Sequence, residues 1–289
     1  MSKQHPVIAI TGSSGAGTTT VKRAFEHIFY RDGIKAAVVE GDSYHRFDRV
    51  EMREKMGSEG ISHFGPAANR FDKLAELFET YGKTGGGEKR YYLHSDEEAA
   101  EHNARLSIDK TPGQFTPWEP LEEGTDVLFY EGLHGLAKSD DDDVSAHVDL
   151  GIGVVPNVNL EWIQKIHRDQ AERGYSAEAT VDTILRRMPD YINYITPQFT
   201  RTDINFQRIA TVDTSNPFIA RDIPTPDESF IVIRFKDPQK HEIDFQYLQS
   251  MIAHSFMSRR NTIVVPGAKM GFAMEIILAP IMAKMMSEK

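Results

Sequence analysis

Apolar residues along the chain form short continuous runs that alternate with longer amphipathic segments. The runs cover residues 7–10, 36–39, 127–130 and 150–155. They lack the every-second-residue alternation of a half-exposed strand, so they predict strands covered on both faces. Helical periodicity is clearest at residues 21–30, 69–81, 160–173, 177–188 and 269–286. Strands that alternate with helices predict an α/β fold, with a mostly parallel sheet flanked by helices.

Two regions depart from this alternation. Residues 82–123 contain a turn cluster at Gly85, and residues 201–238 contain short β-like runs such as 229–235. We expect these insertions to add antiparallel edge strands or a flap. No segment has the composition of a long linker, so residues 1–289 are expected to form a single domain.

Composition narrows the classes of partner. The 289 residues are 40% hydrophobic and 26% charged, as in globular proteins, and the net charge of −10 repels nucleic acid and anionic lipid. The chain has no cysteine, which excludes disulfides and thiolate chemistry. The first apolar run is too short for a signal peptide, and residues 271–286, which include Glu275 and Lys284, are expected to fall short of a bilayer span. No membrane partner and a cytoplasmic location are expected.

A glycine-rich loop joins the first predicted strand to the first predicted helix. Its residues are Gly12, Ser13, Ser14, Gly15, Ala16, Gly17, Thr18, Thr19 and Thr20. Backbone N–H groups in such a loop, together with the helix N-terminus, bind a di- or triphosphate, so ATP is expected here with Thr19 as a ligand of Mg²⁺. Thr18 stands where the usual motif has lysine, so another cation has to neutralise the phosphates. A plain βα turn is the alternative.

Acidic and basic residues follow the second and third strands. Asp42 could accept the proton of an attacking alcohol, while His45, Arg46 and Arg49 could hold an anionic group on that alcohol. Glu131 ends the third strand and is predicted to be associated with Mg²⁺. The alternatives are a solvated polar loop and a carboxylate that merely ends a strand.

Charged residues also cluster on one side of the helix predicted at residues 160–173. They are Lys165, Arg168, Asp169 and Arg173. A solvated face is the ordinary interpretation of such a stripe. Because the glycine loop lacks its lysine, we expect Lys165 or Arg168 to replace it.

Together these segments resemble phosphoribulokinase of the shorter bacterial type over nearly the whole chain. The matching stretches are GSSGAGTTT, VEGDSYHRFDR, FYEGLHG, NLEWIQKIHRDQAERGYS and TDINFQRIATVDTSNPFIARDIPTPDES. The resemblance implies a P-loop kinase that transfers the γ-phosphoryl of MgATP in line to the C1 hydroxyl of D-ribulose 5-phosphate in the Calvin cycle.

The resemblance also implies roles for individual residues. Asp42 would be the general base, and Asp169 a second catalytic carboxylate tied to Mg²⁺. Lys165 and Arg168 would stabilise the transferred charge. The residues that would hold the sugar phosphate are His45, Arg49 and Arg173.

The regulation of the protein can be inferred only from its resemblance to this family. Bacterial members are activated by NADH, inhibited by AMP and assembled as larger homo-oligomers, and the candidate effector contacts here are Arg31, Arg187, Arg234 and Arg259. Two other interpretations stay open at this point. One is a uridine or pantothenate kinase-like P-loop kinase, and the other is a nucleotide-sensing regulatory protein without an acceptor.

Overall fold

A mixed sheet runs through the computed structural model, which describes residues 4–12 and 18–289, without the side chains of Thr19, Glu172 and Arg173. The strands are β1 (Val7–Gly12), β2 (Ala36–Glu40), β3 (Glu88–Lys89), β4 (Glu119–Pro120), β5 (Val127–Gly132), β6 (Leu150–Val155), β7 (Ile204–Ala210), β8 (Ser229–Phe235), β9 (Phe256–Arg259) and β10 (Thr262–Pro266). The main sheet has the order β2-β5-β1-β6-β7-β8-β10-β9, and β3 pairs only with β4.

The strands from β2 to β7 in this order are parallel, whereas β8, β10 and β9 pair antiparallel. This confirms the predicted mostly parallel sheet with antiparallel edge additions. The carboxyl ends of neighbouring parallel strands lie at the same edge of a sheet, so the last residues of β1, β2 and β5 lie close together.

Helices cover both faces of the sheet. They are α1 (Thr18–Asp32), α2 (Arg49–Glu59), α3 (Phe71–Thr84), α4 (Asp96–Leu106), α5 (Val158–Arg173), α6 (Ala177–Asp190), α7 (Phe245–Met251) and α8 (Met270–Ser287). Short 3₁₀ helices span Gly41–Tyr44, Pro66–Ala68, Val144–His147, Thr196–Thr200 and Gly267–Lys269, and a π-helical turn spans Tyr191–Ile195.

Alternate residues of β1 point into two separate parts of the core. Ile8 and Ile10 pack with Phe25 of α1 in a cluster that includes α8, whereas Val7 and Ala9 pack on the α3 side of the sheet. β1 is therefore buried on both faces, as its continuous apolar run predicted.

Two expectations for the sheet were wrong in detail. β2 was predicted to be covered on both faces, but it is an edge strand and Val38 is 36% exposed, because the α3 side covers only the face that carries Ala37 and Val39. The insertion at 201–238 supplies β8 as an antiparallel strand, but its other strand, β7, pairs parallel with β6 inside the sheet.

The C-terminal helix is more apolar than we expected. In the part of the chain that the structure describes, Gly267–Ser287 is the one helical segment long and apolar enough to cross a membrane by length and composition. The structure places α8 against the sheet, where Met274, Ile277 and Leu278 are buried in the same cluster as α1. The apolar residues of α8 therefore pack in the hydrophobic core of the fold.

Candidate active site

A cleft of about 230 Å³ lies where β1, β2 and β5 end. Its lining residues are Gly12, Thr18, Glu40, Gly41, Asp42, His94, Glu131, Gly132 and Leu133. The end of the glycine loop and the predicted carboxylates Asp42 and Glu131 therefore share one cleft. A comparable cavity of about 290 Å³ lies between α3 and residues 146–149, away from these strand ends.

The glycine loop is described at its two ends. Gly12 ends β1, and a Cβ there would lie 2.8 Å from the carbonyl oxygen of Val154 on the neighbouring strand, so the position has no room for a side chain. Thr18 begins α1 and is nearly buried, and Thr20 is half-buried. The predicted phosphate-binding residues 13–17 and the side chain of Thr19 lie outside the described residues.

Thr18 and Glu131 are joined by a side-chain hydrogen bond across the cleft, in which the hydroxyl donates to the carboxylate. Burial raises the pKa of Glu131, and the hydrogen bond from Thr18 and the charge of Lys22 only partly offset this effect. Lys22 lies one turn along α1 and binds Glu40 at 2.9 Å. Thr18, which stands where the usual motif has lysine, thus contacts Glu131, the predicted metal-associated acid.

Asp42 lies in the 3₁₀ helix that follows β2. Its Oδ1 is 3.3 Å from Nε2 of His45 and its Oδ2 is 3.8 Å from Nε2 of His94. Burial acts to raise the pKa of Asp42, but the hydrogen bond and charge of His45 and the charge of His94 outweigh it, and the pKa is lowered. With 46% of its side chain exposed, Asp42 is an ionised carboxylate open to the cleft at neutral pH.

The turn that carries Asp42 is held from the 82–123 insertion by Arg90. The guanidinium donates to the backbone carbonyls of Ser43 at 2.8 Å and His45 at 2.6 Å. It also stacks 3.8 Å from the ring centre of Phe115 and 4.7 Å from that of Trp118. Burial and then the charge of Arg70 lower the pKa of Arg90 to about 10, so it stays charged at neutral pH.

Histidines surround the inner side of this turn. The ring of His63 lies 4.7 Å from that of His45, and Nε2 of His134 is 3.0 Å from the His63 carbonyl oxygen. Burial lowers the pKa of His63 to about 3 and that of His134 to about 4, and the charge of His45 contributes to both shifts. Both side chains are therefore neutral at physiological pH.

The charged side of α5 is partly buried. Asp169 is 2% exposed and binds Nζ of Lys165 at 2.5 Å, and Nε of Arg168 is 3.8 Å from its Oδ1. Burial lowers the pKa of Lys165, although the hydrogen bond to Asp169 opposes the shift. These charges therefore do not form an ordinary solvated face. Arg173 ends α5, with Gly174 as the left-handed cap, and its side chain is not described.

Arg187 of α6 connects α5 with the histidines beside Asp42. Its charge acts on both Lys165 and His63, and its guanidinium lies 5.8 Å from the ring centre of Phe64. The charged side of α5 thus belongs to the same region of the molecule as the Asp42 turn.

The four predicted effector arginines do not form one cluster. Arg31, at the end of α1, binds its neighbour Asp32 and Glu275 of α8, and Arg187 lies near Lys165. Arg234 and Arg259 both lie opposite Thr262, one on each neighbouring strand at the antiparallel end of the sheet. An effector role for these residues stays a prediction.

Arg49 and His45 were both predicted to hold an anionic group of the acceptor. Arg49 begins α2 and is exposed, and its backbone N–H donates to the Gly113 carbonyl at 2.8 Å. His45 is instead buried against Asp42, with 8% of the residue exposed. The structure therefore brings His45 to the predicted base, and its role toward the acceptor stays a prediction.

A fit for Mg²⁺ rests on Glu131. Among the described residues, no group of three or more histidine, aspartate or glutamate side chains is arranged to hold a metal ion. In nucleotide sites Mg²⁺ needs only one or two carboxylates, because phosphate oxygens and water complete its shell. The half-buried carboxylate of Glu131, which accepts a hydrogen bond from the Thr18 hydroxyl at the start of α1, fits that requirement. Asp169, the second predicted metal ligand, binds Lys165 instead in this structure.

Sequence reasoning missed four residues that surround Asp42. They are His63, Asn69, Arg90 and His94. All four come from the loops between α2 and α4, and no motif spacing links them to Asp42. The one available signal was the concentration of histidine and aromatic residues between positions 63 and 118.

A parallel sheet whose first strand leads into a helix through a glycine loop, with carboxylates at neighbouring strand ends, is the architecture of the P-loop kinases. The chain belongs to the phosphoribulokinase / uridine kinase family, whose model matches residues 7–215.

The similarity to individual family members extends over the whole chain. The chain is 61% identical to a phosphoribulokinase of Xanthobacter flavus and 58% identical to the chromosomal phosphoribulokinase of Cupriavidus necator. Both alignments cover 100% of this chain, and they cover 99% and 98% of those proteins, respectively. The solved structure of phosphoribulokinase from Rhodobacter spheroides superposes with a TM-score of 0.88 at 49% identity and 99% coverage of both chains. The resemblance to the bacterial type is confirmed.

Proposed function

We propose that the chain is an ATP-dependent kinase that phosphorylates D-ribulose 5-phosphate at the C1 hydroxyl, giving the ribulose 1,5-bisphosphate of the Calvin cycle. The observation that carries this proposal is the full-length identity of 58 and 61% with proteins named phosphoribulokinase. The cleft supports it, because an ionised aspartate lies beside the end of the glycine loop. These proposed substrates also favour a cytoplasmic location.

In this mechanism Asp42 accepts the proton of the C1 hydroxyl as that oxygen attacks phosphorus. His45 and His94 favour the ionised form of Asp42, so the base is ready at neutral pH. Lys165 and Arg168 stabilise the charge of the transferred group, and Arg49 and Arg173 hold the phosphate of the sugar. Direct in-line transfer needs no phosphoenzyme, since the protein positions the reactants and neutralises charge.

Glu131 and the hydroxyls at the start of α1 would hold Mg²⁺, with Asp169 as a further candidate. When bound, the ion neutralises charge on the β- and γ-phosphates. The raised pKa of Glu131 reflects burial, and the carboxylate gains a favourable partner when a cation enters the cleft.

The similarity to the bacterial phosphoribulokinases also supports two further proposals. Each chain forms a single domain that assembles into a homo-oligomer, and NADH is a candidate activator. β1 and β10 lie in a single sheet, so the two ends of the chain contribute to one structure. Titrating NADH into the kinase assay, together with light scattering of the full chain, tests both proposals.

The exchange of Asp42 for asparagine tests the role of the base. We expect Asp42→Asn to lower kcat by about 10² to 10⁴, because the amide cannot accept the proton, while nucleotide binding measured by thermal shift persists. Because the pKa of Asp42 is lowered, the acid-side decline of wild-type kcat should occur as the pH falls through that depressed value. Asp72→Asn is the control, since Asp72 binds Arg70 on the surface. A near-normal kcat for Asp42→Asn would remove Asp42 from this role.

The acceptor is tested separately with MgATP and ribulose 5-phosphate, uridine or pantothenate. ADP release that depends on ribulose 5-phosphate is expected. Release with another acceptor would identify a uridine or pantothenate kinase-like enzyme, and slow acceptor-independent release would identify a nucleotide sensor.

A further inference from the structure

Asn69 is a buried amide whose orientation is fixed by its neighbours. It is 3% exposed and follows the 3₁₀ helix Pro66–Ala68. Its Nδ2 lies 2.8 Å from the carbonyl oxygen of His63 and 2.7 Å from that of Gly65. Carbonyl oxygens only accept hydrogen bonds, so the amide nitrogen has to face them. Oδ1 of Asn69 therefore faces the opposite way and can act only as an acceptor.

That oxygen lies 2.8 Å from Nδ1 of His45. Because Asn69 offers only an acceptor there, Nδ1 of His45 has to carry a hydrogen. The other ring nitrogen, Nε2, is 3.3 Å from Oδ1 of Asp42. In a neutral ring with its hydrogen on Nδ1, the lone pair of Nε2 would face the lone pairs of the carboxylate. The contact is attractive only when a second proton lies between Nε2 and Asp42.

We propose that Asn69 is a positioning residue for phosphoryl transfer. It fixes the proton on Nδ1 of His45, so that Nε2 and the carboxylate of Asp42 share one further proton. The proposal rests on the proposed function, because it assigns the protonation state of the base in that reaction. In the active form His45 is the imidazolium and Asp42 the carboxylate.

The proton balance of the step follows from this state. The O–H bond of the attacking hydroxyl breaks and an O–H bond forms on Asp42, as the hydroxyl oxygen bonds to phosphorus and ADP leaves. The Asp42–His45 pair then holds one proton more than at rest, and it releases that proton to solvent through the exposed side of Asp42. Asn69 keeps the ring from rotating or changing tautomer during the cycle.

Charged and titratable neighbours face the pair from several elements. His63 contacts the His45 ring from the loop before Asn69, Tyr92 contacts it edge-on at 6.4 Å between ring centres, and His94 approaches Asp42. The charge of His45 also acts on buried His134. Since His63 and His134 are neutral at physiological pH, they add no second positive charge to compete with the shared proton.

Histidine ¹⁵N chemical shifts of the full chain test the proposal directly, since they distinguish protonated from unprotonated ring nitrogens. The signals of His45 are assigned by their loss in His45→Gln. We expect Nδ1 of His45 to be protonated throughout the pH range of the folded protein, whether or not Nε2 is. A neutral His45 with its hydrogen on Nε2 in the wild-type chain would overturn the proposal, and this result does not depend on which acceptor the enzyme uses.

The variant Asn69→Ala adds a kinetic test. We expect neutral His45 to change to the Nε2–H tautomer, and kcat to fall about 10- to 100-fold because the base is misaligned, while KM for ATP changes by less than about twofold. Asn103→Ala is the matched control, since Asn103 also binds backbone through both its amide atoms, at Lys110, but in the 82–123 insertion. An unchanged tautomer and kcat in folded Asn69→Ala would refute the proposal, and if that variant does not fold, the wild-type spectrum decides.

Discussion

At the scale of single residues, the region around Asp42 depends on hydrogen-bonding groups that are satisfied in only one arrangement. Arg90 gives two donors to the carbonyls of Ser43 and His45, and Asn69 gives two to those of His63 and Gly65. Leaving such buried groups unpaired costs about 1–3 kcal/mol each. The position of the proposed base is therefore set by neighbours that take no part in the chemistry.

Lys165 and Arg168 are the two residues that we expect to replace the charge of the missing glycine-loop lysine, and Lys165 can be tested first. Lys165→Met should lower kcat by about 10² to 10³ and change KM for ATP much less, because the cation acts mainly on charge that develops in the transition state. Lys55→Met is a matched control, since Lys55 forms an ion pair of the same spacing and length with Glu59 but on the surface. Steady-state kinetics of both variants check this expectation.

The Lys55→Met control should keep a kcat and a stability close to those of wild type, because an exposed ion pair of this kind contributes about 0.3–0.5 kcal/mol to stability. Thermal unfolding has to accompany the kinetics, since Lys165→Met removes the ion pair of the buried Asp169 with Lys165, and Nε of Arg168 lies 3.8 Å from the same carboxylate. A folded Lys165→Met enzyme with normal kcat would assign the charge to another cation.

Candidate residues could be predicted where a motif places them next to a strand end. Asp42 and Glu131 follow apolar runs, and the carboxyl ends of parallel strands meet at one edge, so their shared cleft was predictable. His63 and Asn69 could not be found in this way, because their positions depend on how the loop between α2 and α3 folds back onto residues 44–46.

At the scale of secondary structure elements, long apolar patterns predicted the structure well and short polar helices were missed. α2 and α4 each bury a single residue, Met52 and Ala99, so neither has a periodic apolar face. Their caps were the available signal. Asp48 with Glu51 forms a capping box, and Ser95 caps α4 by accepting from the N–H of Glu98.

The ends of β2 and β5 approach each other more closely than side chains would allow. A Cβ at Gly41 would lie 2.5 Å from the hydroxyl of Tyr130 and 2.9 Å from Cα of Gly132. Tyr130 is 1% exposed and cannot move aside easily. The glycine therefore sets the path of the 3₁₀ helix that carries Asp42.

Gly41→Ala should lower kcat at least about tenfold, because a displacement of the base by about 1 Å can cost up to 10²-fold. Gly57→Ala is the control, since Gly57 lies inside α2 and a Cβ there meets no atom within 4 Å. The control should be stabilised by about 0.5–1 kcal/mol. Kinetics and thermal unfolding measure both, and equal kcat in the two variants would contradict the packing argument.

At the scale of the whole molecule, the site depends on contacts between parts of the chain that are far apart in sequence. Gln198, from the 3₁₀ helix before β7, accepts from the Thr11 hydroxyl at 2.8 Å and from Leu136 N–H at 3.0 Å, and it donates to the carbonyls of Leu133 and Tyr194. This buried amide ties the residue before Gly12 to the loop after β5. The arrangement was not predictable, because it joins residues separated by 187 positions.

Folding keeps two histidines neutral, and this makes the stability of the molecule sensitive to acid. Burial lowers the pKa of His63 to about 3 and that of His134 to about 4, below the ordinary value of 6.5. As the pH falls below 6.5 the unfolded chain binds protons that the folded chain does not, so the free energy of unfolding decreases. The loss continues until the pH reaches the folded-state values.

His134→Gln tests this linkage, because glutamine can still donate to the His63 carbonyl but does not titrate. Between pH 7.5 and 5.5 each buried histidine should cost about 1.4 kcal/mol of unfolding free energy, so urea denaturation should show a loss smaller by that amount in the variant than in wild type. The difference in unfolding free energy between wild type and His134→Gln at pH 7.5 measures how much the exchange itself destabilises the fold, apart from any effect of pH. An identical loss in both would mean that His134 binds a proton in the folded protein as readily as in the unfolded chain.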